Sequence, residues 1–279
     1  MPELERPLNG EVVLITGGAG GIGSVTARSL VRAGARVALG DLDHAAAEKV
    51  ADELGPHNIG GRVDVTDMES FEAFAERTEA ELGPISALIN NAGVMILGPL
   101  DEEPDSITAT EIAVNLTGVI NGTKIGMRLM KPRRRGRIVN VASQAGKSGF
   151  PGGATYCATK FAVVGLCDAV RNELHGTGVG VTCVMPAAVD TELGAGLSSA
   201  RGVDLLKPED VADAITRAIV KGESEVHLPR HARYLTAPIG LLPAGGRDFF
   251  MRAFKADEVL TKVDTKRREE YEKKAAKSA

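Results

Sequence analysis

Tyr156 and Lys160 are the residues whose types and spacing most clearly indicate chemistry. Four positions apart on a helix, they lie one turn apart on the same face. An ammonium group beside a tyrosine stabilises the phenolate and lowers the tyrosine pKa, as a general acid/base requires. Tyrosine and lysine also meet at this spacing by chance, so the pair needs support from its position in the fold.

Ser143 gives that support, because it follows a predicted strand, Arg137–Val141, and precedes Tyr156 by thirteen residues. Ligands of open parallel sheets bind beyond the carboxyl ends of the strands. A serine at such an end can cap the loop, or its hydroxyl can bind a reacting oxygen. Both interpretations are open from the residues alone.

A glycine-rich turn, Thr16–Gly23, separates the first predicted strand from the first predicted helix. Glycine lets the backbone turn sharply and approach a pyrophosphate, whose charge meets the N-terminus of the helix. A G-x-G-x-x-G pattern runs through Gly18, Gly20 and Gly23. Its strand–turn–helix setting predicts a dinucleotide site rather than a purely steric turn.

Asp41 ends the second predicted strand, eighteen residues after Gly23. A carboxylate there accepts hydrogen bonds from the adenosine ribose and repels a 2′-phosphate. The neighbours Gly40 and Leu42 offer no cation for such a phosphate, and Asp43 serves equally well as the acidic helix cap. The sequence therefore predicts NAD rather than NADP.

Short apolar runs alternate with helical patterns seven times along the chain, which predicts a parallel sheet with helices on both faces. The predicted strands are Val12–Ile15, Arg36–Leu39, Gly61–Val65, Ala87–Asn90, Arg137–Val141, Val179–Val184 and Glu225–Leu228. The predicted helices are Ile22–Ala33, Asp43–Leu54, Met68–Leu82, Ser106–Met130, Tyr156–His175 and Pro208–Val220. We therefore predict one doubly wound, Rossmann-type α/β domain of about seven strands over residues 1–229, with a C-terminal extension over residues 230–279.

Composition and charge exclude several classes of function. The net charge of −4 gives no basic face for nucleic acid, and the run Arg133–Arg135 lies in a predicted turn. The three cysteines form no CxxC pair, and the five histidines lack ligand spacing, so we expect neither disulfides nor a metal site. The N-terminus lacks the order of a signal peptide, and no apolar run is long enough to span a membrane. We expect a cytoplasmic protein.

With these motifs in this order, the chain resembles the short-chain dehydrogenase/reductase family from about Glu11 to Leu228. The similar motifs are Thr16-Gly17-x-x-x-Gly21-x-Gly23, Asp64-Val65, Asn90-Asn91-Ala92-Gly93 and Pro186 to Thr191. The resemblance implies an NAD site formed by Gly17, Gly21, Ile22, Gly23, Asp41, Asp64, Val65, Asn91, Ala92, Gly93, Tyr156, Lys160, Pro186, Val189 and Thr191. The family usually has glycine after the proline of the last motif, and Ala187 stands there in this chain, which is expected to shift that loop.

The same resemblance implies a catalytic tetrad of Asn115, Ser143, Tyr156 and Lys160 in an oxidoreductase that interconverts alcohols and carbonyls. Tyr156 would be the acid/base, and Ser143 would bind the reacting oxygen. Lys160 would hold the nicotinamide ribose, and Asn115 would hold a water that leads to solvent. An apolar cavity is suggested by a set of four residues, Met95, Phe150, Leu193 and Leu197, and core packing explains some of them equally well.

Other functions are open on the same fold. A catalytically idle NAD-binding sensor or assembly subunit usually lacks the tyrosine or the lysine, and both Tyr156 and Lys160 are present. Epimerases and dehydratases of this fold usually have a larger substrate domain. We therefore favour an enzyme acting on CH–OH groups of a lipophilic substrate, assembled as a homodimer or homotetramer. The helices Ser106–Met130 and Tyr156–His175 carry apolar residues beyond one core-facing stripe, and the resemblance implies that both helices pair with their symmetry mates. In the second helix these residues are Val163, Val164, Leu166 and Val170.

The segment after the sheet has three interpretations. Its apolar residues include Tyr234, Leu235, Pro238, Ile239, Leu241, Leu242, Pro243, Phe249, Phe250, Met251 and Phe254. Residues 230–260 would be a packing element, a lid over a lipophilic substrate, or a membrane-surface contact aided by Arg247, Arg252 and Lys255. The charged residues at the end of the chain are expected to form a frayed helix or to be disordered.

Overall fold

The structure is a computed structural model of the 279-residue chain and describes residues 7–197, 205–234, 242–253, 259–261 and 263–277. Its strands are β1 (Val12–Thr16), β2 (Arg36–Asp41), β3 (Ile59–Arg62), β4 (Ile85–Asn90), β5 (Gly136–Val141), β6 (Val179–Pro186) and β7 (Glu225–Leu228). They form one parallel sheet in the order β3-β2-β1-β4-β5-β6-β7.

Helices cover both faces of this sheet. They are α1 (Gly21–Arg32), α2 (His44–Leu54), α3 (Met68–Leu82), α4 (Asp105–Ile112), α5 (Gly118–Met130), α6 (Ala154–Glu173), α7 (Pro208–Lys221), α8 (Ala244–Ala253) and α9 (Thr265–Lys277). The strands are continuous apolar runs because both faces are buried. In β1, Val12 and Leu14 join a core with α3, α5 and α6, whereas Val13 and Ile15 join a core with α1, α2 and α7. The predicted doubly wound fold is confirmed.

Most predicted elements end within two residues of the observed ones, but the third strand does not. The sequence predicts it over Gly61–Val65, and the structure places β3 at Ile59–Arg62. Strand β3 pairs with β2 from Ala38 to Asp41, so it ends where β2 ends. A Cβ at its first glycine, Gly60, would lie 2.4 Å from the backbone of α2, so a residue that usually weakens strands is required here by packing.

The helix predicted over Ser106–Met130 is interrupted by a π-helical turn at Ala113–Thr117. Asn115 lies inside this turn and is fully buried. Its side chain bonds the backbone of the loop after β4 and not its own helix, as expected where a π-turn widens a helix at a functional residue.

Of the two alternatives predicted for the end of the chain, the structure shows the helix. Residues 265–277 form α9, and its Arg268 is only 3% exposed, so the part of the helix around this residue is docked against the rest of the chain. Within the lid candidate, Tyr234 and Phe249 are each 76% exposed. The residues of this segment outside the described part of the chain are Leu235, Pro238, Ile239, Leu241, Phe254 and Lys255. The side chains of Arg247, Phe250 and Met251 are likewise not described. The lid function of residues 230–260 stays a prediction.

The apolar residues of α6 have a different role from the one inferred for self-association. Val163, Val164 and Val170 are buried in the core of the chain itself, and Leu166 packs against that core. They therefore give no support to a subunit interface. The sequence pattern identifies apolar residues on α6 but does not show which of them the rest of the chain covers. The homodimer or homotetramer stays a prediction. No described helix is long and apolar enough to cross a membrane.

Candidate active site

A groove of about 350 Å³ lies at the carboxyl edge of the sheet. Strand β1 connects to β2 on one side and pairs with β4 on the other, which is the switch point where doubly wound sheets bind ligands. Ten of the cofactor residues implied by the sequence line it, namely Gly17, Gly21, Ile22, Asp41, Asp64, Val65, Asn91, Ala92, Gly93 and Thr191.

The glycine turn has the shape that a phosphate site needs. Gly17 has a φ of +63°, and a Cβ at this position would lie 2.9 Å from Cα of Ala92. A Cβ on Gly23 would lie 2.1 Å from the carbonyl oxygen of Gly17, so Gly23 supports the turn from behind. Helix α1 begins after Gly20 with no side-chain cap and no acidic residue in its first turn. Its first N–H groups can therefore bind an anion.

Asp41 lies at the end of β2, beside this turn. Its Oδ2 accepts a hydrogen bond from the backbone N–H of Ala19 at 3.0 Å, so the carboxylate both supports the turn and lines the groove. Asp43 caps α2 by accepting from the N–H of Ala46 at 3.0 Å, as the sequence indicated. Asp43 is therefore the residue that caps α2, and Asp41 lines the groove.

Asp64 and Asn91 hold the loops around the groove. Asp64 Oδ1 accepts from the N–H and the hydroxyl of Thr66 at 2.9 and 2.6 Å, so this residue shapes its turn as well as lining the groove. Asn91 Nδ2 donates to the carbonyl oxygens of Thr16 and Gly17 at 3.0 and 3.1 Å. The end of β4 is thereby fixed to the glycine turn.

Tyr156 lies in the first turn of α6 and is 7% exposed. The hydroxyl of Ser143 accepts from the N–H of Ala145 at 3.1 Å and donates to the carbonyl oxygen of Pro186 at 3.4 Å. Burial raises the pKa of Tyr156 above its ordinary value, and hydrogen bonding by the nearby Ser143 side chain opposes this rise. Lys160 Nζ lies 5.5 Å from the centre of the Tyr156 ring. The prediction that Lys160 sets a lowered pKa is wrong for this structure, because desolvation is the larger effect.

Lys160 and Asn115 meet beside Gly93. Lys160 is buried, donates to the carbonyl oxygen of Val141 at 3.0 Å, and has a pKa lowered by burial to about 8. Asn115 exchanges two hydrogen bonds of 2.8 Å with the backbone of Val94. A Cβ at Gly93 would lie 3.1 Å from Asn115 Oδ1 and 3.7 Å from Lys160 Nζ, so glycine leaves room for both groups.

Only one of the three residues at the end of β6 and in the loop after it that were predicted to bind the cofactor lines the groove. Thr191 lines the groove, whereas Pro186 and Val189 are buried and do not line it. Ala187 continues the strand by donating its N–H to the carbonyl oxygen of Leu228 at 2.8 Å. The sequence could not separate these roles, because all of these positions lie within one short motif.

An apolar cluster surrounds Tyr156. Its members are Met95, Leu97, Ala145, Phe150, Cys157, Leu193, Leu197, Val259 and Leu260. The four residues from which the sequence indicated an apolar cavity are all among them. Tyr156 is thus flanked by hydrocarbon.

Glu111 is a residue of the site that the sequence analysis missed. It is fully buried, and its Oε1 accepts from the N–H of Ile96 at 2.7 Å, while its Oε2 has no hydrogen-bond partner among the described residues. Burial raises its pKa to about 7, although the charges of Arg268 and Lys160 lower it. The available signal was its spacing of four residues before Asn115 on the same helical stretch.

Helix α9 also reaches the site. Tyr271 lines the groove, and the buried Arg268 bonds the loops around it. The charged composition of this tail gave no sign of the contact, since Lys and Glu dominate the sequence on both sides of Tyr271.

The groove can hold a dinucleotide, and a group able to move a proton lies next to it. Asn115, Ser143, Tyr156 and Lys160 do not line the groove themselves; Asn115 and Lys160 adjoin it through Gly93. An uncapped helix N-terminus, a cradle of glycines and a carboxylate at the end of β2 fit the phosphates and the adenosine ribose. Tyr156 and Ser143 place two hydroxyl groups where a reacting oxygen can bind.

Comparison with known proteins agrees with this geometry. The family described as "short chain dehydrogenase" matches residues 11–202. "Probable oxidoreductase EphD" of Mycobacterium tuberculosis is 35% identical over 235 residues, covering 75% of this chain and 39% of the relative, so the chain spans well under half of that protein. "D-threitol dehydrogenase" of Mycolicibacterium smegmatis is 39% identical over 191 residues, covering 67% of this chain and 73% of that protein.

A solved structure, that of a short chain dehydrogenase/reductase from Burkholderia phymatum in complex with NAD, has a TM-score of 0.76 and 27% sequence identity to this chain. The match covers 85% of this chain and 94% of that chain. The family match extends from the strand before the glycine turn to the loop after β6, and includes all four residues of the tetrad. This chain belongs to the short chain dehydrogenase family.

Proposed function

We propose that this chain is an NAD(H)-dependent oxidoreductase that interconverts an alcohol and a ketone or aldehyde, with Tyr156 as the acid/base. The observation that carries the proposal is that Tyr156, Ser143 and the buried Lys160 lie together next to Gly93, a glycine that lines the dinucleotide-shaped groove. The Burkholderia phymatum relative, which holds NAD, supports the choice of cofactor.

Each residue of the tetrad has a separate task, and bound NAD supplies a hydride acceptor. Tyr156 removes the hydroxyl proton of the alcohol, or protonates the carbonyl oxygen in the reverse direction. Ser143 donates a hydrogen bond to the reacting oxygen and stabilises its developing charge. Lys160 holds the nicotinamide ribose and places positive charge beside Tyr156, and Asn115 holds a water that leads from Lys160 to solvent.

Asp41 supports NAD over NADP. Its carboxylate lines the groove and is held by the N–H of Ala19, so it cannot easily turn away from a ligand. A 2′-phosphate in the same place would meet this negative charge.

The cluster around Tyr156 supports a lipophilic substrate. A polyol, which the name of the D-threitol relative implies for that protein, needs hydrogen-bond partners for several hydroxyl groups. Here the side chains around the acid/base include Met95, Phe150, Leu193 and Leu260, which offer hydrocarbon instead.

The test is a comparison of Tyr156→Phe with wild type on a panel of aliphatic alcohols and ketones, in both directions, followed at the NADH absorbance band. Phenylalanine keeps the ring and removes the ionisable hydroxyl, so turnover should fall by about 10²-fold or more while NADH binding, measured by fluorescence, persists. Tyr234→Phe is the matched control, because Tyr234 is 76% exposed. Turnover within a few-fold of wild type in the Tyr156 variant would exclude this role, and NADH binding without any turnover by wild type would favour the idle sensor.

A further inference from the structure

Helix α9 is fastened to two loops that border the site. Arg268 donates to the carbonyl oxygen of Leu193, in the loop after β6, at 2.6 Å, and also to the carbonyl oxygen of Met95, in the loop after β4. Tyr271 Oη accepts from the N–H of Met95 at 3.1 Å. Glu272 accepts from the N–H of Leu97 at 3.2 Å and pairs with Arg268 at 2.9 Å. These contacts join the end of the chain to loops far away in sequence.

The residues just before α9 also contact the loops that border the site. Leu260 is 7% exposed and belongs to the apolar cluster of Tyr156. A Cβ on Gly153 would lie 2.8 Å from Leu260 Cδ1, so the loop that precedes α6 packs directly against this segment. The N–H of Asp264 donates to the carbonyl oxygen of Gly196 at 2.9 Å. The loops after β4, β5 and β6 therefore all touch residues 260–272.

Tyr271 is the side chain of α9 that faces the groove. It lines the groove together with Val94 and Leu193. Its hydroxyl is held by Met95, and the guanidinium of Arg268 lies 4.7 Å from the centre of its ring. The hydroxyl and the ring face are thus both held in place. A ring held in this way cannot move aside for a bulky substrate, whereas a mobile ring could.

We propose that Tyr271 is a specificity-determining residue whose ring limits the bulk of the substrate beside its reacting carbon. The proposal rests on the proposed function, in which that carbon lies between Tyr156 and the nicotinamide end of the groove. Met95 links the two tyrosines, since it belongs to the cluster of Tyr156 and its N–H binds Tyr271. The expected substrates are apolar alcohols or ketones that are unbranched next to the carbinol carbon.

The experiment compares two isomers, 2-hexanol and 3,3-dimethyl-2-butanol, which differ in branching beside the carbinol but not in composition. In Tyr271→Ala, the ratio of kcat/KM for the branched to the unbranched isomer should rise by about tenfold or more, because hydrophobic pockets discriminate to this extent per methylene group. Tyr271→Phe keeps the ring and its contact with Arg268 but loses the bond to Met95, so it should shift the ratio much less than Tyr271→Ala. Arg267→Ala, an exposed position on the same helix, is the control for general effects on α9.

A binding measurement separates this proposal from the proposed function. Pentanamide and 2,2-dimethylpropanamide are isomers that differ in branching next to the carbonyl carbon, as the ketones of the two alcohols do, and their binding to the NADH complex is read from nicotinamide fluorescence without turnover. Tyr271→Ala should improve the binding of the branched amide relative to the unbranched one by about tenfold. If wild type oxidises neither alcohol, the proposed function fails for this class, and the amides still decide the role of Tyr271.

An unchanged ratio in both measurements, with a melting temperature near that of wild type, would overturn the proposal. If Tyr271→Ala does not fold, Tyr271→Leu takes its place, because leucine keeps apolar contact and is shorter than the ring. The ratio should then shift in the same direction, and a ratio equal to that of Tyr271→Phe would overturn the proposal equally.

Discussion

Glu111→Gln should remove a pH dependence of stability that wild type carries. Glu111 is fully buried beside the catalytic residues, and burial raises its pKa from an ordinary value of 4.5 to about 7. Glutamine has nearly the same shape, keeps an oxygen for the N–H of Ile96, and does not titrate. The substitution therefore isolates the cost of ionising this one carboxyl group.

The direction follows from proton binding. Between pH 4.5 and about 7, the folded chain holds a proton on Glu111 that the unfolded chain has lost. The free energy of unfolding of wild type therefore decreases as the pH rises through this window. Since a tenfold change in proton affinity corresponds to about 1.4 kcal/mol, the full decrease is about 3 kcal/mol. Most of it lies between pH 5 and pH 8.

Urea denaturation at pH 5, 6, 7 and 8, followed by far-ultraviolet circular dichroism at one protein concentration, measures this change. The stability of the glutamine variant relative to wild type should increase by about 2 to 3 kcal/mol from pH 5 to pH 8. Groups shared by both proteins, including Glu103, Lys160 and Arg268, cancel in this difference unless they titrate with Glu111. Glu102→Gln, at an exposed position, is the control and should show a constant difference.

A constant difference between Glu111→Gln and wild type across this range would refute the reasoning. It would mean that Glu111 is ionised in the folded chain at pH 5, with Arg268 and Lys160 compensating its burial in full. An opposite slope, in which the variant loses stability as the pH rises, would mean that the carboxylate is the stabilising form.

The remaining predictions concern the cofactor. The ratio of kcat/KM with NAD to that with NADP should exceed one for wild type and should be smaller for Asp41→Ala. Asp41→Asn keeps an acceptor for the N–H of Ala19, so it should reduce this ratio through the loss of charge alone. Equal use of both cofactors by wild type would contradict this role of Asp41. Gly23→Ala should weaken NADH binding by about tenfold or more, because its methyl group would lie 2.1 Å from the carbonyl oxygen of Gly17. Gly165→Ala is the matched control, since its Cβ would meet no described atom within 4 Å, and titration by nicotinamide fluorescence compares the two variants.

Local sequence was sufficient to predict a feature where the residues that form it lie close together in the chain. The glycine turn follows β1 directly, Asp41 ends β2, and the pair Tyr156 and Lys160 shares one helical turn. Parallel strands bring their carboxyl ends to one edge, so these motifs meet once the alternation of strands and helices is recognised. Most of the residues that line the groove could be predicted for this reason, whereas the catalytic role of the tetrad stays a prediction.

Tertiary packing decided the features that depend on neighbours distant in the chain. The start of β3 is set by its register with β2, and Gly60 is needed there because α2 crosses closely. The apolar residues of α6 that resembled a subunit interface belong to the core, since periodicity shows an apolar face but not what covers it.

By itself, the sequence determined the doubly wound fold and the glycine cradle, because periodicity and short motifs encode them locally, and it named four candidate catalytic residues. Only the tertiary structure decided that Glu111 is a buried acid with a raised pKa and that the charged tail closes the site. Arg268 and Met95 are 173 residues apart, and nothing in the composition of the tail predicts their contact. The physical reason is that burial, and the desolvation that accompanies it, depend on which surfaces meet after the chain has folded.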